Sequence, residues 1–495
     1  MQEMSRKVLV IGAGLGGIGA AASLAAAGWQ VDLFEKNSHV GGKLNLLRQD
    51  GFSFDLGPSI LIMPQIFQRL FARSGRNFSD YVTVRPLSPH WRNFFEDGTR
   101  IDLHADPAET VANSPGLTAA DRLDYERFLA YSRRLYENCR YPYFDLGLDT
   151  LREIVRQQGI RSALFDFDVF SSMDQGVGRY VRNRKMRTIL DFFAKYVGSS
   201  PLDAPAILNL MPYVQAESGL FYVDGGLFEL ALGLRRLLDD LQVNLHLETE
   251  VTGILHDGNR VQGIRLRDGS ERSGDVVVSN MEVIPAHRHL LKEPEQRLHR
   301  FRRFEPACSG LVLHLGVDRH YPQLAHHNFF YSNNPREHFQ AVFRDRRLPD
   351  DPTIYLVAPT RTDPSQAPPG CENLKILPHI PYLQDPPFTA TDYGQLKARV
   401  LDKLERMGLD GLRQHIVVQQ MWTPEDIERI YYSHRGAIYG VVSHRWKNLG
   451  FKAPKKSDRF ENLFFVGGSV NPGSGMPMAL LSGQQVADRI LQSFS

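Results

Sequence analysis

The stretch KVLVIGAGLGGIGAAASLAAAGWQVDLFEKN, residues 7–37, decides the fold. Its apolar run up to Ile11 is rich in β-branched residues, as suits a strand buried on both faces. Gly12, Gly14 and Gly17 follow in G-x-G-x-x-G spacing. The first glycine permits a tight turn, the second lets backbone approach a pyrophosphate, and the third lets the next helix pack on the strand. The alanine-rich run predicts a helix over 18–27, ended by Gly28. Its N-terminus would aim N–H groups and a partial positive charge at a phosphate. A second strand, 30–34, ends on Glu35, about 20 residues after the glycines, where a carboxylate can accept hydrogen bonds from a ribose. A lone glycine motif is weak evidence. Strand, glycines, helix, strand and acid in register predict a dinucleotide cradle.

The other end of the chain repeats the device. ENLFFVGGSVNPGSGMPMALLSGQQVADRIL, 461–491, reads as a strand over 463–466, a glycine-rich turn from Gly467-Gly468, and a helix from about Pro477. Strand, glycine turn and helix start again make an anion cradle. Both ends are therefore expected to meet at one cofactor, with the long middle inserted into the nucleotide domain. Gly41-Gly42-Lys43 places backbone and a cation near the pyrophosphate. Residues 251–280 read as hairpins turning at Asp257-Gly258 and Asp268-Gly269, then a buried strand, DVVVSN. GLVLHLGV and TIYLVAP read as further strands. Residues 65–215 look mainly helical. Their aromatic clusters, ALFDFDVF and DFFAKYV, suit either the wall of an apolar cavity or an ordinary helical core.

Composition narrows the classes. A chain of 495 residues suggests two or three domains. A formal net charge of +2 gives no sign of nucleic acid as a partner. The three cysteines, Cys139, Cys308 and Cys371, are far apart, so neither a metal site nor a disulfide framework is expected. No signal peptide and no apolar run long enough to span a bilayer is read, so a soluble or monotopic protein is expected.

The motifs together resemble the FAD-dependent amine oxidase and carotenoid desaturase superfamily, over nearly the whole chain. GFSFDLGPSIL, YVDGGLFELALGL and VNPGSGMP are similar to stretches of bacterial phytoene and diapophytoene desaturases. DYVTVRPLSPHWRNFFEDGTRIDL, KYVGSSPLDAPA, SNMEVIPA, YPQLAHHNFF, LPDDPTIYLVAPT, RGAIYGVV and FVGGSVNPGSGMPM look like the diapocarotenoid terminal oxidases, desaturase paralogues that oxidise a terminal methyl towards an aldehyde. Val470 and Asn471 stand where desaturases usually carry Thr-His. The resemblance implies an α/β Rossmann-type FAD domain assembled from 1–75, 216–290 and 441–495. It also implies a helical, membrane-facing region at 76–215 and a substrate domain at 291–440. FAD would be held by Gly12, Gly14 and Gly17 at the pyrophosphate, Glu35 at the ribose, and Gly42 and Lys43 near the phosphates. Val251 would hold the adenine, and Gly468 and Met476 would lie by the flavin ring and ribityl chain.

No residue pair announces an acid or base. His326 and His327 are the most conspicuous titratable pair, although neighbours on a strand face opposite ways. His379, Arg435 and Asn471 are further candidates. A long polyene substrate offers almost no polar handle, so recognition should rest on an apolar tunnel. The basic-aromatic stretch HRWKNLGFKAPKKSDR, 444–459, reads either as a dock for anionic lipid on the cytoplasmic side of the membrane or as a solvated loop. The resemblance leaves two alternatives to terminal oxidation: desaturation, and a non-enzymatic prenyl-binding role on the same fold.

Overall fold

The structure, a computed structural model, describes residues 6–159 and 166–494. Of the aromatic stretch at 163–170, the first three residues lie outside the described ones. A five-stranded parallel sheet runs Leu463–Phe465, Val276–Ser279, Lys7–Ile11, Gln30–Phe34, Asn244–His246. Strands from the start, middle and end of the chain thus share one sheet. Along the central strand, Val8 and Val10 feed one apolar core and Leu9 and Ile11 another, so both faces are covered and the run needs no polar alternation.

The first helix is Leu15–Ala26, beginning three residues earlier than the alanine run suggested, with Gly14 as its N-cap. Tertiary contact overrides the low helix propensity of Gly16 and Gly17. A Cβ on Gly17 would lie 2.0 Å from the carbonyl oxygen of Gly12, so only a bare backbone lets the first turn fold onto the loop. This helix packs on the last one, Met476–Ser493, equally closely. A Cβ on Gly483 would lie 2.1 Å from the Gly16 carbonyl oxygen.

The hairpins expected at 251–273 form a three-stranded antiparallel sheet. A mixed sheet makes the second layer. Its order is Ile416–Trp422, Val312–Val317, Glu372–Ile380, Ile354–Val357, His327–Phe330, Trp91–Phe94, Arg100–Leu103. The last two strands correct the reading of 76–215 as helical. Trp91–Phe94 alternates buried and half-buried residues, and the hairpin turns at Asp97-Gly98, the strand signature that the longer helical patterns masked. The rest of that segment is mainly helical, including Ala119–Cys139, started by a capping box in which Thr118 and Asp121 satisfy each other's backbone N–H groups. Among the described residues, no helix is long and apolar enough to cross a membrane.

Candidate active site

A cavity of about 340 Å³ separates the two layers. On one side lie the glycine loop, Glu35, Gly41–Lys43, Thr249–Val251 and Asn280–Glu282. The turn at Gly467-Gly468 and the start of the last helix complete that side. The N-termini of a 12-residue and an 18-residue helix therefore converge here, with unsatisfied N–H groups and positive dipole ends. Glu35 is buried, and its two carboxylate oxygens accept from Ala13 N at 2.8 Å and Asn37 N at 2.9 Å. A carboxylate has further lone pairs for hydroxyls. Gly41 N donates to Ala13 O at 2.8 Å, so the Gly-Gly pair is stitched to the glycine loop.

Asn280 ties the cradle together, and the sequence reading did not single it out. It follows the buried strand Val276–Ser279 and accepts from Gly17 N at 3.1 Å. A Cβ on Gly14 would lie 2.4 Å from its Nδ2, and Cβ atoms on Gly16 and Gly467 would lie 2.6 and 2.8 Å from its Oδ1. One amide thus fills the space that glycines from both ends of the chain leave open. A polar residue ending a run of valines was the available signal.

The opposite wall is the mixed sheet. Trp422, Val312, Leu377 and Tyr355 stand on four consecutive strands and all line the cavity. In the same row Tyr355 stacks on Phe329, with ring centroids 4.8 Å apart, and Phe329 meets Trp91, also at 4.8 Å. Lys375 lines the cavity as well. Its ammonium donates to the Gly57 carbonyl and to Ser59 Oγ. Burial pushes this amine down to about 8, against the pull of Asp55.

Gly12, Gly14, Glu35, Gly42, Lys43, Val251, Gly468 and Met476 all line the cavity. Gly17 does not: it lies within the first turn with its N–H on Asn280, and Gly16 faces the cavity instead. Lys43 departs from the expectation in its charge. Its ammonium lies 3.2 and 3.3 Å from the carbonyl oxygens of Ile438 and Ala437 and 3.5 Å from Glu282, so it braces a loop rather than standing free for a phosphate.

The other candidates are mostly redirected. Asn471 lies outside the cavity lining. Its amide accepts from Tyr143 OH at 3.0 Å and Lys452 N at 2.9 Å and donates to Asp149 O at 3.1 Å, all of it structural. Arg435 places its guanidinium over the Tyr382 ring at 4.8 Å, away from the cavity. His326 precedes the strand that begins at His327, so strand alternation does not separate the pair; the rings meet edge to face at 4.5 Å. His326 bonds Thr362 Oγ1 at 2.8 Å and His327 bonds Tyr355 OH at 2.9 Å. Burial pushes His326 down to about 3, and burial together with His326 and Lys195 holds His327 well below the usual range. Both rings are therefore neutral near pH 7. His379 lies between Phe192 and Tyr439, is pushed to about 3 by burial, and leaves its Nε2 without a partner.

Residues 15–491 match the family of flavin containing amine oxidoreductases. The chain belongs to that family. It is 56% identical over 488 residues to a 4,4'-diapolycopene oxygenase of Methylomonas sp, covering 98% of each. It is 51% identical over 486 residues to a 4,4'-diaponeurosporene oxygenase of Staphylococcus haemolyticus, covering 98% of this chain and 97% of that one. A putrescine oxidase variant shares the fold, with a TM-score of 0.68 over 99% of both chains at 13% identity.

As a flavin amine oxidoreductase the chain is an FAD-dependent enzyme, and its cleft fits that cofactor. The converging helix N-termini suit a pyrophosphate. Glu35 retains lone pairs for a ribose. The glycines facing Asn280 have no room for a Cβ, which leaves backbone exposed where a phosphate must approach. A flavin in this cleft would lie between that cradle and the apolar floor of Val312, Tyr355 and Leu377.

Proposed function

We propose that this enzyme oxidises the terminal methyl group of a linear diapocarotenoid, 4,4'-diaponeurosporene or diapolycopene, to an aldehyde. The observation that carries the reading is the identity of 51–56% to oxygenases of those names along essentially the full chain. The apolar and aromatic floor is its structural support, since a polyene must be recognised by shape and contact rather than by polar groups. FAD, when bound, supplies the redox chemistry. Gly14 and Gly16 would hold its phosphates through backbone N–H groups, with Gly12, whose own N–H is spent on Phe34 O, shaping the turn beside them. Glu35 would hold its ribose and Val251 its adenine, with Gly42 beside the phosphates and Gly468 and Met476 by the flavin ring and ribityl chain. Val312, Leu377, Tyr355 and Trp422 exclude water and orient the chain end. A terminal methyl on such a chain is allylic, so a cation or radical centre formed there spreads along the polyene.

Purified enzyme with FAD and liposomes, under air, tests this. Diaponeurosporene should gain one oxygen and lose two hydrogens by mass. If diaponeurosporene gains no oxygen and diapophytoene loses hydrogens in pairs, the enzyme is a desaturase instead.

The same reading includes peripheral contact with the membrane, where such a substrate resides. The basic stretch 444–459 supports it less than its composition suggested. Lys452 and Lys455 are buried, Lys452 donating to the Val441 carbonyl and Lys455 pairing with Asp149 at 2.5 Å, while Lys447 is held by Glu305. Exposed aromatics support it instead. Trp446 is 63% exposed, with Arg445 over its ring, and Phe170 is 51% exposed. Arg445 donates to Gln175 in the helix Met173–Gly178, and Phe170 lies two residues before that helix's N-cap, Ser172, so both aromatics border it. Flotation of the holoenzyme with anionic vesicles should carry it upward and should fail for a Trp446→Ser, Phe170→Ser variant. Protein that stays at the bottom without those substitutions sinks the idea.

A further inference from the structure

Lys195 is a buried amine that the cofactor cradle does not use. It sits in the turn Phe192–Val197 laid over the mixed sheet, and it is 5% exposed. Its Nζ lies 4.3 Å from the centroid of the Tyr355 ring and 4.8 Å from those of Trp91, Tyr196 and Phe329. Among the described residues it makes no ion pair and no hydrogen bond, and burial alone holds it well below the ordinary lysine range. An amine buried without a partner costs folding free energy. Four aromatic faces compensate only part of that.

Tyr355 connects this amine to the active site, because it lines the cavity and bonds His327. His327 is fully buried, and its Nε2 has no partner. A neutral imidazole carries one N–H. On Nε2 that proton would be a sealed donor without an acceptor. On Nδ1 it donates to the Tyr355 oxygen, which frees the phenolic hydrogen for another acceptor. The row Trp422, Val312, Leu377, Tyr355 therefore ends on the one cavity-lining residue that has Lys195 over its ring and His327 behind its hydroxyl, neither of which itself lines the cavity.

We propose that Lys195, Tyr355 and His327 form the polar terminus of the substrate site and bind the oxygen of an oxygenated polyene end, as hydroxyl or aldehyde. Lys195 and Tyr355 reach the oxygen directly, and His327 is a positioning residue acting through Tyr355. The proposal rests on the terminal-oxidation reading above. A methyl end gains nothing from these donors, whereas the alcohol R–CH2OH, a two-electron oxidation short of the aldehyde, is held by them. Retention of the alcohol explains how one site would carry a methyl to the aldehyde without releasing the halfway product.

Lys195→Met and Tyr355→Phe keep side-chain volume and remove the donors. In each, KM for the polyene alcohol should rise about three- to tenfold, the range of a lost neutral hydrogen bond, and by more than KM for the methyl substrate. Alcohol should then accumulate over aldehyde. A second readout needs no turnover. Polyene aldehyde bound to the wild-type holoenzyme should absorb to the red of the same aldehyde bound to either variant, because donors on a conjugated carbonyl lower its excitation energy. Unchanged spectra and unchanged product ratios in both variants overturn the proposal. A wild-type enzyme that binds the aldehyde with the red shift but forms no oxygenated product overturns the terminal-oxidation reading and not the binding site.

Discussion

The two sheets of this enzyme both bury their central strands, but with different chemistry. In the parallel sheet the central strands are VVVS, VLVI and VDLF, apolar but for Ser279 and Asp32, and their specificity lies in missing side chains at the ends, where Gly12, Gly14 and Gly467 meet Asn280. In the mixed sheet, Glu372–Ile380 is buried along all 9 residues, and four of them are polar: Glu372, Asn373, Lys375 and His379. The cofactor cradle is built on absent atoms, whereas the sheet that carries the apolar floor holds buried polar groups, of which Lys375 reaches the cavity. Errors in the first should therefore block binding, whereas errors in the second should change stability and its pH dependence.

The largest expected effect is in the cradle. Gly14→Val would place a Cβ 2.4 Å from Asn280 Nδ2 and close the approach to the pyrophosphate. The variant should leave gel filtration without flavin absorbance. Flavin retained as in the parent would remove this loop from the cofactor site.

Next comes a cluster that ties the segment before the helix Leu151–Gln158 to the C-terminal part of the cofactor half. Lys455 is fully buried against Asp149 at 2.5 Å, and Arg489, from the last helix, reaches the same carboxylate at 2.6 Å. Lys455→Met leaves Asp149 short of one cation. Removing one partner of a buried pair costs about 3–5 kcal/mol, and the remaining Arg489 should keep the loss near 3. Urea unfolding followed by circular dichroism measures it. A midpoint within error of the parent would mean that Arg489 alone neutralises the site.

How far each half could be read from the sequence follows the same division. The cradle was legible because glycine spacing, an alanine helix and Glu35 are constraints within about 30 residues of one another. The C-terminal turn was legible for the same reason. Lys195, Lys375 and Asn280 were not, because their surroundings come from far along the chain: Lys375 reaches Ser59, and Asn280 reaches Gly17. The lysines at 452 and 455 read as a surface patch for that same reason, since nothing nearby in sequence announces Asp149 or the Val441 carbonyl. Asn471 drew notice as a departure from a desaturase pattern, yet its amide is spent on Asp149, Lys452 and Tyr143.

The buried histidines in and beside the mixed sheet make a graded test. Burial holds His314, His326 and His379 at about 3 and His338 at about 4, against 6.5 when unfolded. Between those values the unfolded chain binds protons that the folded chain refuses. Stability should therefore fall as pH drops from about 6.5 towards 3–4, by up to about 1.4 kcal/mol per pH unit for each histidine. His379→Gln removes one titrating ring. Its unfolding free energy should decline less steeply between pH 6.5 and 4.5 than the parent's. Parallel lines would show that His379 takes up its proton in the native state.

The smallest effect is expected at Arg435, the candidate that the structure moves out of the active site. Its backbone adopts a left-handed φ of +53°, and its guanidinium lies over Tyr382, on the far side of the loop whose residues Ser433 and Ile438 line the cavity. Arg435→Ala keeps the left-handed strain and loses the cation–π contact, a cost of about 0.5–1 kcal/mol at a partly exposed site. Arg435→Gly loses the same contact but relieves the strain, so it should be the more stable of the two. Neither should move the flavin absorption spectrum, because no atom of the cleft changes. A spectral shift in both variants would put the guanidinium's charge within reach of the flavin and return Arg435 to the site. A shift in the alanine variant alone would trace to the strained turn, since the glycine variant lacks the same charge.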